Sequence, residues 1–182
     1  PKRSQAKIWP AVGENEQISI ADDLLKSNYY VVLDGSGSMG ESNCAAGSTK
    51  MESAKVALSQ WSESVDQKAN LGLLVFDSLG VSERVALSSR NRDQFISMTN
   101  EVKPGSGTPL ESAIMEAYIR ITEQAKTQLG YGDYHIVVVT DGQASPNENP
   151  TEIVNKILEA SPVVIHTIGF CIGNEHPLNQ PG

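Results

Sequence analysis

Two apolar patterns alternate along this chain. Short unbroken runs at residues 29–33, 71–76, 135–140 and 162–170 are the length of buried strands and end in turn-forming residues. Between them, apolar residues recur three and four positions apart, the spacing of one helical face. Met51, Ala54, Leu58, Trp61 and Val65 mark a helix starting near Lys50. Leu110, Ile114, Ala117 and Ile121 mark a long one, opened by Thr108-Pro109 and stopped by Gly130. Ile153, Ile157 and Leu158 mark another, begun by Pro150, and a further helix is expected over residues 92–102. Residues 81–87 mix apolar and charged positions, Glu83 and Arg84 among them, as a short edge strand does. The turn Asp77-Ser78-Leu79-Gly80 joins it to the preceding run as a hairpin.

Strand and helix signals in regular alternation predict an α/β fold. The expected architecture is doubly wound: a mostly parallel central sheet, one antiparallel edge strand, and helices on both faces. Residues 1–28 carry no sustained period and read as an N-terminal extension or linker, leaving residues 29–182 as one domain. Trp61 belongs to a helix stripe and is expected at least partly buried, whereas the pattern does not place Trp9.

Composition narrows the partners. With 182 residues, 39% of them apolar, the chain can bury one proper core. A net charge of −8 argues against nucleic acid and anionic membrane surfaces, which select clustered Lys and Arg. No apolar stretch approaches the roughly 18 residues of a spanning helix, so direct membrane insertion is not expected. The chain opens on Pro and reads as a processed protein or part of a larger one. Cys44 and Cys171 both belong near the carboxyl end of the sheet; a single bridge and two free thiols are both consistent with that placement.

Candidate chemistry sits where the strands end. The first run closes on Asp34-Gly35-Ser36-Gly37-Ser38, one carboxylate followed by hydroxyls at alternate positions. Another ends in Thr140-Asp141-Gly142, and Pro104-Gly105-Ser106-Gly107-Thr108-Pro109 sets a hydroxyl just before a helix. In open parallel sheets, ligands gather at the carboxyl ends of the strands, near the point where strand order reverses. Hard oxygens separated by glycines suit a small divalent cation.

The set resembles the metal-ion-dependent adhesion site of the von Willebrand factor type A family, whose pattern is Asp-x-Ser-x-Ser, then a distant Thr, then a distant Asp. That pattern falls on Asp34, Ser36, Ser38, Thr108 and Asp141, and the element order from about residue 28 onward resembles the family as well. The resemblance implies a bound Mg²⁺, with Mn²⁺ or Ca²⁺ as alternatives. Ser36, Ser38 and Thr108 would bind it directly, and Asp34 and Asp141 directly or through water. An open coordination position would accept a Glu or Asp carboxylate from a protein or peptide partner. The implied function is a non-catalytic adhesion or assembly module, part of a larger protein, in an extracytoplasmic setting; some family members instead serve cytoplasmic ATPases. The closing helix usual in the family has no counterpart in the Pro/Asn/Gly-rich tail, which suggests truncation.

Blander and rival readings attach to the same residues. Thr108 before Pro109 is a natural helix N-cap, and Asp141-Gly142 a natural turn. Gly35-Ser36-Gly37-Ser38-Met39-Gly40 matches the dinucleotide fingerprint, but Asp34 would face the pyrophosphate and residues 41–49 delay the helix. The order Ser38, Asp141, His166 matches that of α/β-hydrolases. Yet Ser36 replaces the first glycine of the nucleophile elbow, and His166 lies inside a strand as a core histidine would. His135 and His176 show no partner pattern. The strongest enzyme alternative is a metal-dependent phosphotransferase of the haloacid dehalogenase type with Asp34 as nucleophile. Against it, Ser36 stands where a second Asp belongs, and the sequence offers no evident lysine for the phosphate.

Overall fold

A computed structural model describes residues 8–42, 48–105, 107–142 and 144–170. Cys44, Cys171, His176 and the tail lie outside these residues. The strands are β1 (Ser27–Asp34), β2 (Asn70–Asp77), β3 (Gly80–Ser88), β4 (Asp133–Thr140) and β5 (Val164–Gly169). The helices are α1 (Lys50–Ser64), α2 (Arg92–Glu101), α3 (Leu110–Thr127) and α4 (Pro150–Ala160). The sheet runs β3-β2-β1-β4-β5. β1 is parallel to both β2 and β4, β4 is parallel to β5, and only the β2–β3 hairpin is antiparallel. The α/β class, the antiparallel edge strand and helices on both faces therefore stand as the sequence predicts.

β1 is central because it is apolar on both faces. Tyr30 and Val32 pack with Leu74, Phe76 and the α3 stripe on one side. Val31 and Leu33 pack with Met51, Leu58 and Phe95 of α1 and α2 on the other. Gly72 lies against the Tyr30 ring so closely that a Cβ would overlap Tyr30 Cδ2, so only glycine leaves that ring in place. Sequence order turns back between β1 and β4, which puts the switch point at their carboxyl ends.

The opposite end of the sheet is closed by neutral amides. Asn28 donates to Gln128 Oε1 and accepts from Asn70 Nδ2, both at 2.8 Å, while Gln128 Nε2 donates to the carbonyls of Leu24 and Lys26. The N-terminal segment rests on this end. Ala21 N–H bonds to Thr127 O, Trp9 meets the Tyr134 ring edge-on, and Trp9 Nε1 donates to Tyr118 Oη. Trp9 is thus a packing residue, as is half-buried Trp61, set edge-on to Tyr29.

Two histidine expectations are corrected. His166 is exposed, not a core residue, because no described element covers β5 on its side. His135 does have a partner: its Nδ1 lies 3.1 Å from His166 Nε2 across the β4–β5 pair, with its ring stacked on Tyr29.

Candidate functional site at the strand ends

Asp34 closes β1 and is wholly buried. Its Oδ1 accepts the Ser36 main-chain N–H at 2.8 Å, and its Oδ2 accepts the Thr140 hydroxyl at 2.6 Å. Burial pushes the Asp34 carboxyl above the usual carboxylate range; the hydrogen bonds from Ser36 and Thr140 oppose that shift, and the like charge of Asp141 adds to it. The chain then turns sharply through the 3-10 segment Gly37–Gly40. Gly35 permits the turn: a Cβ there would come within 2.7 Å of Phe76 O and 2.8 Å of Asp77 Cβ.

That turn brings the two serines together and delivers them to the next strand. Ser36 Oγ and Ser38 Oγ are 3.0 Å apart, and Ser38 Oγ donates to Asp141 Oδ1 at 2.9 Å. A hydroxyl has one proton to give, and an ionised carboxylate can only accept. Ser38 therefore spends its proton on Asp141, and Ser36 is the donor to Ser38. Asp34, Ser36, Ser38 and Asp141 form one hydrogen-bonded chain spanning the switch point. Among the described residues no three His, Cys, Asp or Glu side chains converge on a common point. The oxygens gathered here are those of two carboxylates, Asp34 and Asp141, and the hydroxyls of Ser36, Ser38 and Thr140.

Thr108 arrives differently. The loop before α3 is pinned beside β1 by Gly105 N–H bonding to Gly35 O at 2.9 Å. Thr108 exchanges main-chain contacts with Ser145: its N–H donates to Ser145 Oγ at 2.8 Å, and its carbonyl accepts Ser145 N–H at 2.9 Å. The blander alternative for Thr108, a helix N-cap, does not hold, since Pro109 occupies the cap position of α3 with no side-chain cap bond. Glu148 supplies the missing acceptor from the β4–α4 loop, taking the N–H groups of Glu111 and Ser112. Among the described residues the Thr108 hydroxyl bonds to none of the other four candidates, and no capping duty consumes it.

A model of the von Willebrand factor type A domain matches residues 28–180 of this sequence. The chain belongs to that family. Solved structures that share the fold include a von Willebrand factor type A protein from Catenulispora acidiphila, with TM-score 0.64 and 19% identity over 80% of this chain and 33% of that one. Manganese-loaded TRAP protein from Plasmodium vivax aligns with TM-score 0.60 and 20% identity, over 86% of this chain and 61% of that one. The pilus adhesin SpaC from Lactobacillus rhamnosus GG aligns with TM-score 0.55 and 15% identity, over 70% of this chain and 16% of that one. The type A domain described here thus spans less than two thirds of each. No curated protein sequence matches it closely enough to count as a relative.

Two polar residues of this type A domain escape a reading by motif. Thr140 is the hydroxyl that fixes Asp34, from the neighbouring strand. Lys50 lies almost fully buried at the site, its Nζ 2.5 Å from Asp141 Oδ2 and 3.1 Å from Glu41 Oε2. Burial alone would lower the lysine's affinity for its proton, but the two carboxylates hold its pKa above the ordinary lysine value. A signal for it existed. Lys50 is the first residue of α1, where the helix dipole disfavours a cation, so a lysine there calls for an anionic neighbour.

Proposed function

We propose that this type A domain is a divalent-metal-dependent binding module that captures a carboxylate from a partner protein. The observation that carries the reading is the chain Asp34–Ser36–Ser38–Asp141, assembled at the switch point from two strand ends. Its donor chemistry fits Mg²⁺, Mn²⁺ or Ca²⁺, all hard cations that prefer oxygen. Ser36, Ser38 and Thr108 would hold the ion directly, and Asp34 and Asp141 directly or through water. When bound, the ion supplies a Lewis-acidic position for an outside carboxylate. The chain's own residues orient that position: Thr140 fixes Asp34, and Ser145 fixes the Thr108 loop.

One solved neighbour is manganese-loaded and another is a pilus adhesin, which agrees with a metal-bridged adhesion or assembly role in a larger, extracytoplasmic protein. Among the described residues no helix is long and apolar enough to cross a membrane. Lys50 does favour the second reading, a phosphotransferase with Asp34 as nucleophile, because it brings a cation to the site. Asp34 itself weighs against that reading, since it is wholly buried and both its oxygens are engaged.

Calorimetric titration of chelator-stripped protein with Mn²⁺ tests the module. One-to-one binding is expected, abolished in Asp34→Ala, and strengthened when a glutamate-containing peptide is present. No binding, or binding that survives Asp34→Ala, would overturn the assignment. Turnover of a generic phosphate ester that is lost in Asp34→Asn would establish the enzyme instead.

A further inference from the structure

Lys50 is placed with unusual definition for a lysine. Thr49 caps α1 by a capping box with Glu52, and Lys50 N–H donates to Glu41 O at 3.0 Å, so the root of the side chain is fixed. Its ammonium then bridges two carboxylates of different character. Asp141 is enclosed, with side-chain exposure of 2% beside 8% for Lys50, whereas the Glu41 side chain is 53% exposed. The other Asp141 oxygen takes the Ser38 hydroxyl, so the ammonium is separated from the serine pair by a single carboxylate.

We propose that Lys50 is a tethered counter-ion that shares Asp141 with the incoming divalent cation and yields to it by moving towards Glu41. This rests on the metal reading above and adds a device that the five-residue pattern lacks. Without a divalent ion, the carboxylates at the switch point are left with a buried excess of negative charge unless a cation offsets it. Lys50 offsets it from within the chain, so the domain folds without a metal. The arriving ion places a second positive centre on the same carboxylate, and at low effective dielectric the two repel. Glu41 already touches the ammonium and is half in water. A short swing keeps the lysine paired while freeing Asp141 Oδ2. Metal affinity is thereby set low in the resting domain, and a partner's carboxylate, by adding negative charge, tips the balance towards the loaded state.

The test compares wild type with Lys50→Met, which keeps the aliphatic stem, and Lys50→Arg, which keeps the charge. Mn²⁺ affinity is measured by calorimetry, with thermal melts in chelator and in saturating Mn²⁺. Lys50→Met is expected to bind Mn²⁺ at least about tenfold more tightly, to melt lower than wild type in chelator, and to recover in Mn²⁺. Lys50→Arg is expected to bind no more tightly than wild type. In wild type carrying ¹³Cε-labelled lysine, saturating Mg²⁺ should shift the Lys50 resonance. Should Lys50→Met not fold, Glu41→Gln tests the same point in reverse, since the ammonium loses its second counter-charge and Mn²⁺ binding should weaken. Equal or weaker Mn²⁺ binding by folded Lys50→Met, or a Lys50 resonance unmoved by saturating Mg²⁺, overturns the counter-ion role while leaving the metal site standing. Absence of Mn²⁺ binding by wild type and both variants overturns both.

Discussion

Arg92 joins parts of the chain that the strand-and-helix pattern treats as separate. From the first turn of α2, its guanidinium donates to the carbonyls of Ser62, Val65, Asp66 and Ala69, where α1 ends and the next loop begins. Helix ends leave carbonyls without partners, and a buried one is costly to orphan. Arg92→Met is expected to lose about 2–4 kcal/mol of stability, read from urea unfolding as a lower midpoint at an unchanged slope. Residues of this kind explain what was legible. Asp34, Ser36 and Ser38 could be read because a single strand end and turn carry all three. Thr140 could not, and Lys50 shows only as a cation at a helix start with no partner named, because their contacts arise only when α1 and β4 pack beside β1. His166 departs from its expected core role for the converse reason: its strand is apolar enough for a core, but β5 ends the sheet and no described element covers it on the His166 side.

Among the elements, α3 shows how a local signal is overridden. Thr-Pro before an apolar stripe is a sound start signal, and a helix does follow, yet the cap comes from Glu148, 37 positions from Glu111 in sequence. The exchange is reciprocal, because Glu111 accepts the Asn149 N–H at 2.7 Å and thereby also steadies the start of α4. Glu148→Ala should cost about 1 kcal/mol, the usual worth of a helix cap, and should lower the melting temperature. If the Thr108 loop is held through this contact and through Ser145, the same variant should also weaken Mn²⁺ binding. A melting shift with unchanged Mn²⁺ affinity would confine Glu148 to capping. Strands and helices were legible in order and kind because their periods are set by burial on one or both faces. Their tie-points were not, since caps drawn from distant loops leave no mark on local spacing.

For the whole molecule, the sheet edge at β5 makes stability depend on pH. Burial, with the nearby His166, holds the His135 imidazole below its ordinary value of 6.5, and Asp133 only partly offsets this. The folded state therefore resists a proton that the unfolded chain accepts. Well above pH 6.5 neither state is charged and the effect is absent. As pH falls through 6.5 towards the depressed folded value, the unfolded chain binds the proton first and stability declines. Urea midpoints between pH 8 and pH 5 should fall in wild type and fall less in His135→Phe, which keeps an aromatic ring for Tyr29. Identical slopes in the two proteins would remove His135 from the account.

The amide-closed end of the sheet, with the N-terminal segment resting on it, lies a full strand length from the oxygen cluster. A ligand held at Asp34 and Ser38 and an anchor on residues 8–26 would pull from opposite ends of β1. That strand is paired along its length to parallel neighbours on both sides. Tension along this axis would load both ladders in shear, where many hydrogen bonds must fail together, rather than unzip them one at a time. A pull between the site and the N-terminal segment would thus run along the direction in which parallel ladders resist together.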